Sequence, residues 1–126
     1  MEKEFINYSQ ARSLKELGFN EPCIAFYNVR VLTFHTHGIN PYFIFKKNSD
    51  LWDSCSAPLK QQVFRWFREK YNIDSHIEKY ISSEDAIEYF CMVDENESIN
   101  FETYEEAELM CIEFLIQLVQ STSNEG

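Results

Sequence analysis

The chain has 126 residues, a net charge of −10, 44% hydrophobic residues and 16% aromatic ones. That length suits one domain, residues 1–126, with a single core, and the apolar content excludes a disordered tail protein. Direct nucleic-acid binding is excluded as well, because backbone recognition needs clustered Lys and Arg that neutralise phosphates.

The first periodic segment is Ser9-Gln-Ala-Arg-Ser-Leu-Lys-Glu-Leu-Gly-Phe. Ser9 is the expected cap, Gly18 supplies the stop, and Phe19 folds back as its hydrophobic contact, which predicts a helix over about 9–17. Cys23 to Tyr27 and Val29 to Phe34 are rich in β-branched and aromatic residues, with Asn28 as the turn between two strands or a bulge in one long strand. A further extended run, Tyr42-Phe-Ile-Phe, follows Pro41, and the loop from Lys46 to about Cys55 reads as the least organised part of the chain.

The segment Ala57 to Tyr71 predicts a helix capped by Ser56, with Pro58 tolerated in the first turn. Leu59, Val63, Trp66, Phe67 and Tyr71 share one face, and Phe64 lies at its edge and is expected to be partly exposed. Trp52, Trp66, Phe64 and Tyr71 are candidate pocket aromatics, with core packing the favoured reading. His76 to Ile81 and Ile87 to Val93 read as a strand pair joined across Ser82-Ser-Glu-Asp.

The last element opens at Thr103-Tyr-Glu-Glu, a capping-box pattern of Thr103 and Glu106. At 100° per residue, Glu106, Glu113, Gln117 and Gln120 form one polar stripe. Leu109, Ile112, Ile116 and their neighbours cover most of the remainder, and Glu108 alone interrupts the apolar side. A helix this apolar is either sandwiched between other elements or covered by a second copy. The fold class is therefore α+β, an antiparallel sheet of about four strands with three helices in the order α-β-β(-β)-α-β-β-α.

Charge is polarised along the chain. Met1 to Lys79 holds 11 Lys and Arg against 9 Asp and Glu, whereas Tyr80 onward holds no Lys or Arg and 12 acids. The acidic part reads either as a solvated face that aids solubility or as a docking surface for a basic protein partner. Glu106, Glu108, Leu109, Ile112, Glu113 and Ile116 are the candidate interaction residues, with a homodimer through the last helix as one form of the contact.

His35 and His37, two apart in Phe34-His-Thr-His-Gly, would face the same way on a strand, as two metal ligands should. No carboxylate lies between Glu21 and Asp50, so further ligands would come from His76, Cys55, Asp50 or Asp53 through the fold. Of the four cysteines, Cys23, Cys91 and Cys111 sit in apolar patterns, and Cys55 is the one placed where a helix N-terminus would lower its pKa. No Gly-rich phosphate loop or hydrolase motif is present, and no cofactor is expected. No run approaches the roughly 18 apolar residues of a membrane span, and the first residues lack a signal-peptide pattern, so the expected location is the cytoplasm, with reduced thiols and no membrane partner.

Three blocks resemble short uncharacterised proteins encoded in bacterial genomes, phages and prophages. They are Leu14-Lys-Glu-Leu-Gly-Phe with Glu21-Pro-Cys, the run Ala57 to Tyr71, and Thr103-Tyr-Glu-Glu-Ala-Glu-Leu with Cys111-Ile. The resemblance implies a mobile-element association and carries no catalytic residue over; Val29 to Trp52, with both histidines, lies outside it. The resulting expectation is a non-enzymatic, phage-associated interaction protein. The alternatives are a small metal-assisted enzyme using His35 and His37, and an acidic DNA-mimic decoy of a DNA-binding protein.

Overall fold

The computed structural model describes the backbone of residues 2–37 and 40–124, and the side chains of residues 2–35 and 44–122. Two compact units form, residues 1–59 and 60–126. Helix α1 (Tyr8–Glu16) opens at Asn7, whose Oδ1 accepts the Gln10 N–H at 2.8 Å while Gln10 Oε1 accepts the Asn7 N–H at 3.3 Å. This reciprocal box takes the capping role expected of Ser9, which lies inside the first turn. At the other end Gly18 adopts φ 93°, the Phe19 N–H reaches Leu14 O and the Gly18 N–H reaches Lys15 O. That closure satisfies two orphan carbonyls and turns Phe19 back into the core, where it is buried.

Strands β1 (Ala25–Asn28) and β2 (Val31–Phe34) pair antiparallel, with Asn28 opposite Val31. The turn is therefore Val29-Arg30, at φ 48° and 68°, and Asn28 ends its strand instead of turning the chain. Strands β3 (Thr36–His37) and β4 (Asn40–Phe43) pair with each other. Strand β5 (Cys55–Ser56) adds to the free side of β1, giving the order β2-β1-β5, so Ser56 is a sheet residue and caps no helix.

One core cluster of this unit gathers Phe5, Ala25 and Ala57, with Ile24, Tyr27, Leu32 and Phe34 packed on it, and Ile6, Leu14 and Phe19 are buried as well. The loop before β5, expected to be poorly organised, is held by buried Asn48: its Nδ2 donates to Phe19 O and its Oδ1 accepts the Ser56 N–H, both at 2.8 Å. One amide thus joins the α1 exit to β5. Trp52, a candidate core or pocket aromatic, is 93% exposed.

In the second unit, α2 (Lys60–Tyr71) buries Val63, Phe64, Trp66 and Phe67, so Phe64 belongs to the packed face and not to its exposed edge. Strands β6 (Ser75–Ile81) and β7 (Ile87–Val93) pair without a bulge from Ser75↔Val93 to Ile81↔Ile87, and β8 (Asn96–Glu97) extends the sheet. Helix α3 (Tyr104–Asn124) packs on β7, β6 and α2. Thr103 Oγ1 accepts the Glu106 N–H at 3.1 Å, as the capping pattern predicts. The fold is thus α+β, its three helices in the expected order, and its strands are divided between two three-stranded antiparallel sheets and the β3–β4 pair.

Two-residue hairpin turns with positive φ at both centres favour Asn-Gly, and a β-branched residue there is sterically penalised. Replacing Val29→Asn with Arg30→Gly should therefore raise stability by about 1 to 3 kcal/mol. Urea denaturation of the two proteins checks this through the shift in midpoint.

Candidate functional site

His35 ends up buried, its ring stacked on Phe26 with centroids 4.5 Å apart and an interplanar angle of 12°. Its backbone joins the surrounding extended chain by accepting from Ile44 N–H and donating to Ile24 O. Its Nε2 has no hydrogen-bond partner among the described residues. Burial lowers its pKa, the Lys46 ammonium lowers it further, and Asp50 opposes the shift. The His37 side chain lies outside the described residues. His76, a candidate further ligand, sits on β6 with Nε2 2.9 Å from Glu78 Oε1. Among the described residues no three His, Cys, Asp or Glu side chains gather to hold a metal ion.

All four cysteines are buried free thiols. Cys55 lies in β5 and not at a helix N-terminus; burial raises its pKa against the opposing influence of Lys15 and Arg12. Burial likewise pushes the Cys23 thiol up to about 12, with Glu21 adding to the effect, and raises Cys111, with Cys91 beside it adding to the effect. None of these three has the lowered pKa of an activated nucleophile.

The six candidate interaction residues of α3 divide by exposure. Ile112 and Ile116 are buried, at 0% and 1%. Leu109 and Glu113 are half-buried and Glu106 is exposed. Glu108 is buried: Lys60 Nζ lies 3.6 Å from its Oε1, and Gln61 Nε2 donates to its Oε2 at 3.2 Å. The acid that interrupts the apolar side is thus neutralised by the first residues of α2.

The exposed features converge elsewhere in residues 60–126. This unit carries 15 of the chain's 21 acids and 5 of its 11 Lys and Arg, whereas residues 1–59 carry six of each, so the whole net charge of −10 lies in the second unit. Ten of its acids are exposed. Along the C-terminal half of α3, Leu118 is 43% exposed and stands between two clefts. One, of about 280 Å³, has a floor of Cys91 and Val93 and is bounded by Phe114, Glu97 and Ser98. The other, of about 340 Å³, is bounded by Tyr71, Ile73, Val119 and Thr122.

Asn96 links the first cleft to a shallow concavity lined by Asp74, Asp94 and Glu95. The backbone there is cross-tied, since Asp94 N–H donates to Asp74 O at 2.7 Å and Asp74 N–H to Asp94 Oδ1 at 3.1 Å. The first cleft is thus apolar with an acidic border, whereas the second is lined by Tyr71, over whose ring the Lys70 ammonium lies at 5.6 Å. The last turn of α3 carries no basic residue, so the negative end of its dipole is uncompensated from its own sequence. The sequence reading missed this groove because Leu118 and Phe114 count as ordinary apolar positions of a helix; their exposure depends on where the covering elements stop.

No protein-family model, curated protein or solved structure matches the chain. Among the described residues no helix is long and apolar enough to cross a membrane.

Two outcomes are expected from the buried polar groups. Because folding lowers the His35 pKa, the unfolded chain binds more protons as pH falls below about 6.5, and stability should decline there while staying level for this group above it. Denaturation between pH 5 and 8 in the wild type and a His35→Phe variant, which has no titrating group at this position, checks the slope. Glu108→Ala should cost about 3 to 5 kcal/mol by leaving Lys60 buried without its carboxylate. A paired Lys60→Met, Glu108→Leu variant should recover most of that loss, as read by thermal unfolding.

Proposed function

We propose that the chain is a non-enzymatic interaction protein that engages a basic protein partner through its second unit. The observation that carries this reading is the confinement of the entire net charge to residues 60–126, most of it on exposed side chains. Such a surface raises the encounter rate with a cationic partner and rejects anionic ones, nucleic acid and anionic lipid included. A mobile-element context and a cytoplasmic partner are part of the same proposal. If that partner is itself a DNA-binding protein, the same surface acts as a decoy for its basic groove.

Tagged wild type and a Glu84→Gln, Glu95→Gln, Glu97→Gln, Glu102→Gln variant, all four positions being exposed, should separate on co-precipitation from cells expressing them. The expected result is a basic protein retained by the wild type, released by moderate salt and lost from the variant. Equal capture by both proteins would refute the charge-based reading. Displacement of the captured protein by duplex DNA would identify the decoy form.

A further inference from the structure

We propose that the groove along the C-terminal half of α3 takes an amphipathic helical segment of the partner, with two apolar side chains seated on either side of Leu118 and Lys or Arg beside them. The inference rests on the reading of an acidic docking unit and gives it a place and a partner chemistry. Three observations carry it. Leu118 lines both clefts, so two apolar side chains from one face of a partner helix can be seated with Leu118 between them. Glu97 borders the first cleft, and Asn96 continues it into the concavity of Asp74, Asp94 and Glu95, which places carboxylates where flanking cations would fall. The last turn of α3 carries no basic residue, so its dipole brings negative potential to the second cleft at Thr122, across from Tyr71 and the Lys70 ammonium above it.

Other occupants fit less well. A second copy would bring the same acidic border against this one, and nucleic acid or a phospholipid surface would bring phosphates. A neutral apolar ligand would fill the clefts but leave the acidic border unused. A cationic amphipathic segment uses both features, with the apolar anchors supplying affinity and the charges supplying orientation and selectivity.

The test uses the full chain and a fluorescein-labelled synthetic peptide of Leu and Lys, with the Leu residues on one helical face. A scrambled peptide of identical composition and an analogue with Ser replacing Leu serve as comparisons, and binding is read by anisotropy. The facially ordered peptide should bind at least about tenfold more tightly than either. Leu118→Glu should weaken it by at least about tenfold. That direction is diagnostic, because a purely electrostatic contact would strengthen when a carboxylate is added. A second variant, Leu118→Asn, and circular dichroism of both establish that a loss of binding is not a loss of fold.

Glu95→Gln with Glu97→Gln should weaken binding severalfold and flatten its salt dependence. Equal binding of ordered and scrambled peptides, unaffected by Leu118→Glu, would overturn the groove while leaving the acidic docking unit standing. Failure of every cationic peptide to bind would overturn both. Light scattering that shows a wild-type dimer dissociated by Leu118→Glu would assign the groove to a second copy and overturn the proposal.

Discussion

Covering α3 is the constraint on which the second unit depends. Ala107, Cys111, Ile112, Leu115, Ile116 and Val119 all require exclusion from water, each large side chain contributing about 1.5 to 3 kcal/mol when buried. The face of the β6–β7 hairpin carrying Cys91 and Val93 supplies one part of the cover and α2 another. Glu108 lies on that same covered side, and a carboxylate there without a partner would cost several kcal/mol. Lys60 and Gln61, the first two residues of α2, meet it. The position of α2 thus answers two demands at once, an apolar one from Val63, Phe64 and Phe67 and an electrostatic one from its first turn.

The first unit buries Phe5, Ile6, Leu14 and Phe19 and adds polar ties to them. Three of its organising contacts are polar: the Asn7–Gln10 box, the Asn48 amide between Phe19 and Ser56, and the Tyr27 hydroxyl donating to Ile6 O at 2.6 Å. Each bond satisfies a group that would otherwise be left without a partner at a helix end or where a loop passes into the sheet. Buried His35 stands apart from this pattern: its Nε2 has no such partner among the described residues, and stacking on Phe26 holds the ring by apolar contact.

Elements whose signal is local were legible in the sequence. The Gly18 and Phe19 closure, the Thr103 cap, the Val63 to Phe67 face and the β6–β7 pair all follow from residues within one or two turns of each other. Elements whose signal is long-range were not. Two-residue strands such as β5 and β8 exist only because a neighbour accepts their hydrogen bonds, and no period can be read from two residues. Ser56 has the chemistry of a cap, yet it pairs with Phe26 in β5, four residues before α2 begins, and Ser9 loses its cap to Asn7 by two positions. The Val29-Arg30 turn contradicts local preference and is imposed by the pairing of β1 with β2. Trp52 shows the same limit, since residue type favours the core but the loop carries it into water.

The groove belongs to this long-range class. After Lys79 the sequence contains no Lys or Arg; of the later acids Glu108 reaches back to a cation of α2 and Glu88 accepts from Asn100 Nδ2, while Asp94, Glu95 and Glu97 are exposed. The apolar residues of α3 face a parallel choice, because the sheet ends at β8 and the covering helix ends at Tyr71, where Asn72 at φ 56° turns the chain away. Past those two limits Leu118 is left without full cover, in a cleft that Glu97 of β8 also lines. The exposed part of Leu118 adds nothing to the stability of the unit itself. What it provides is a surface complementary to a ligand that is both apolar and cationic.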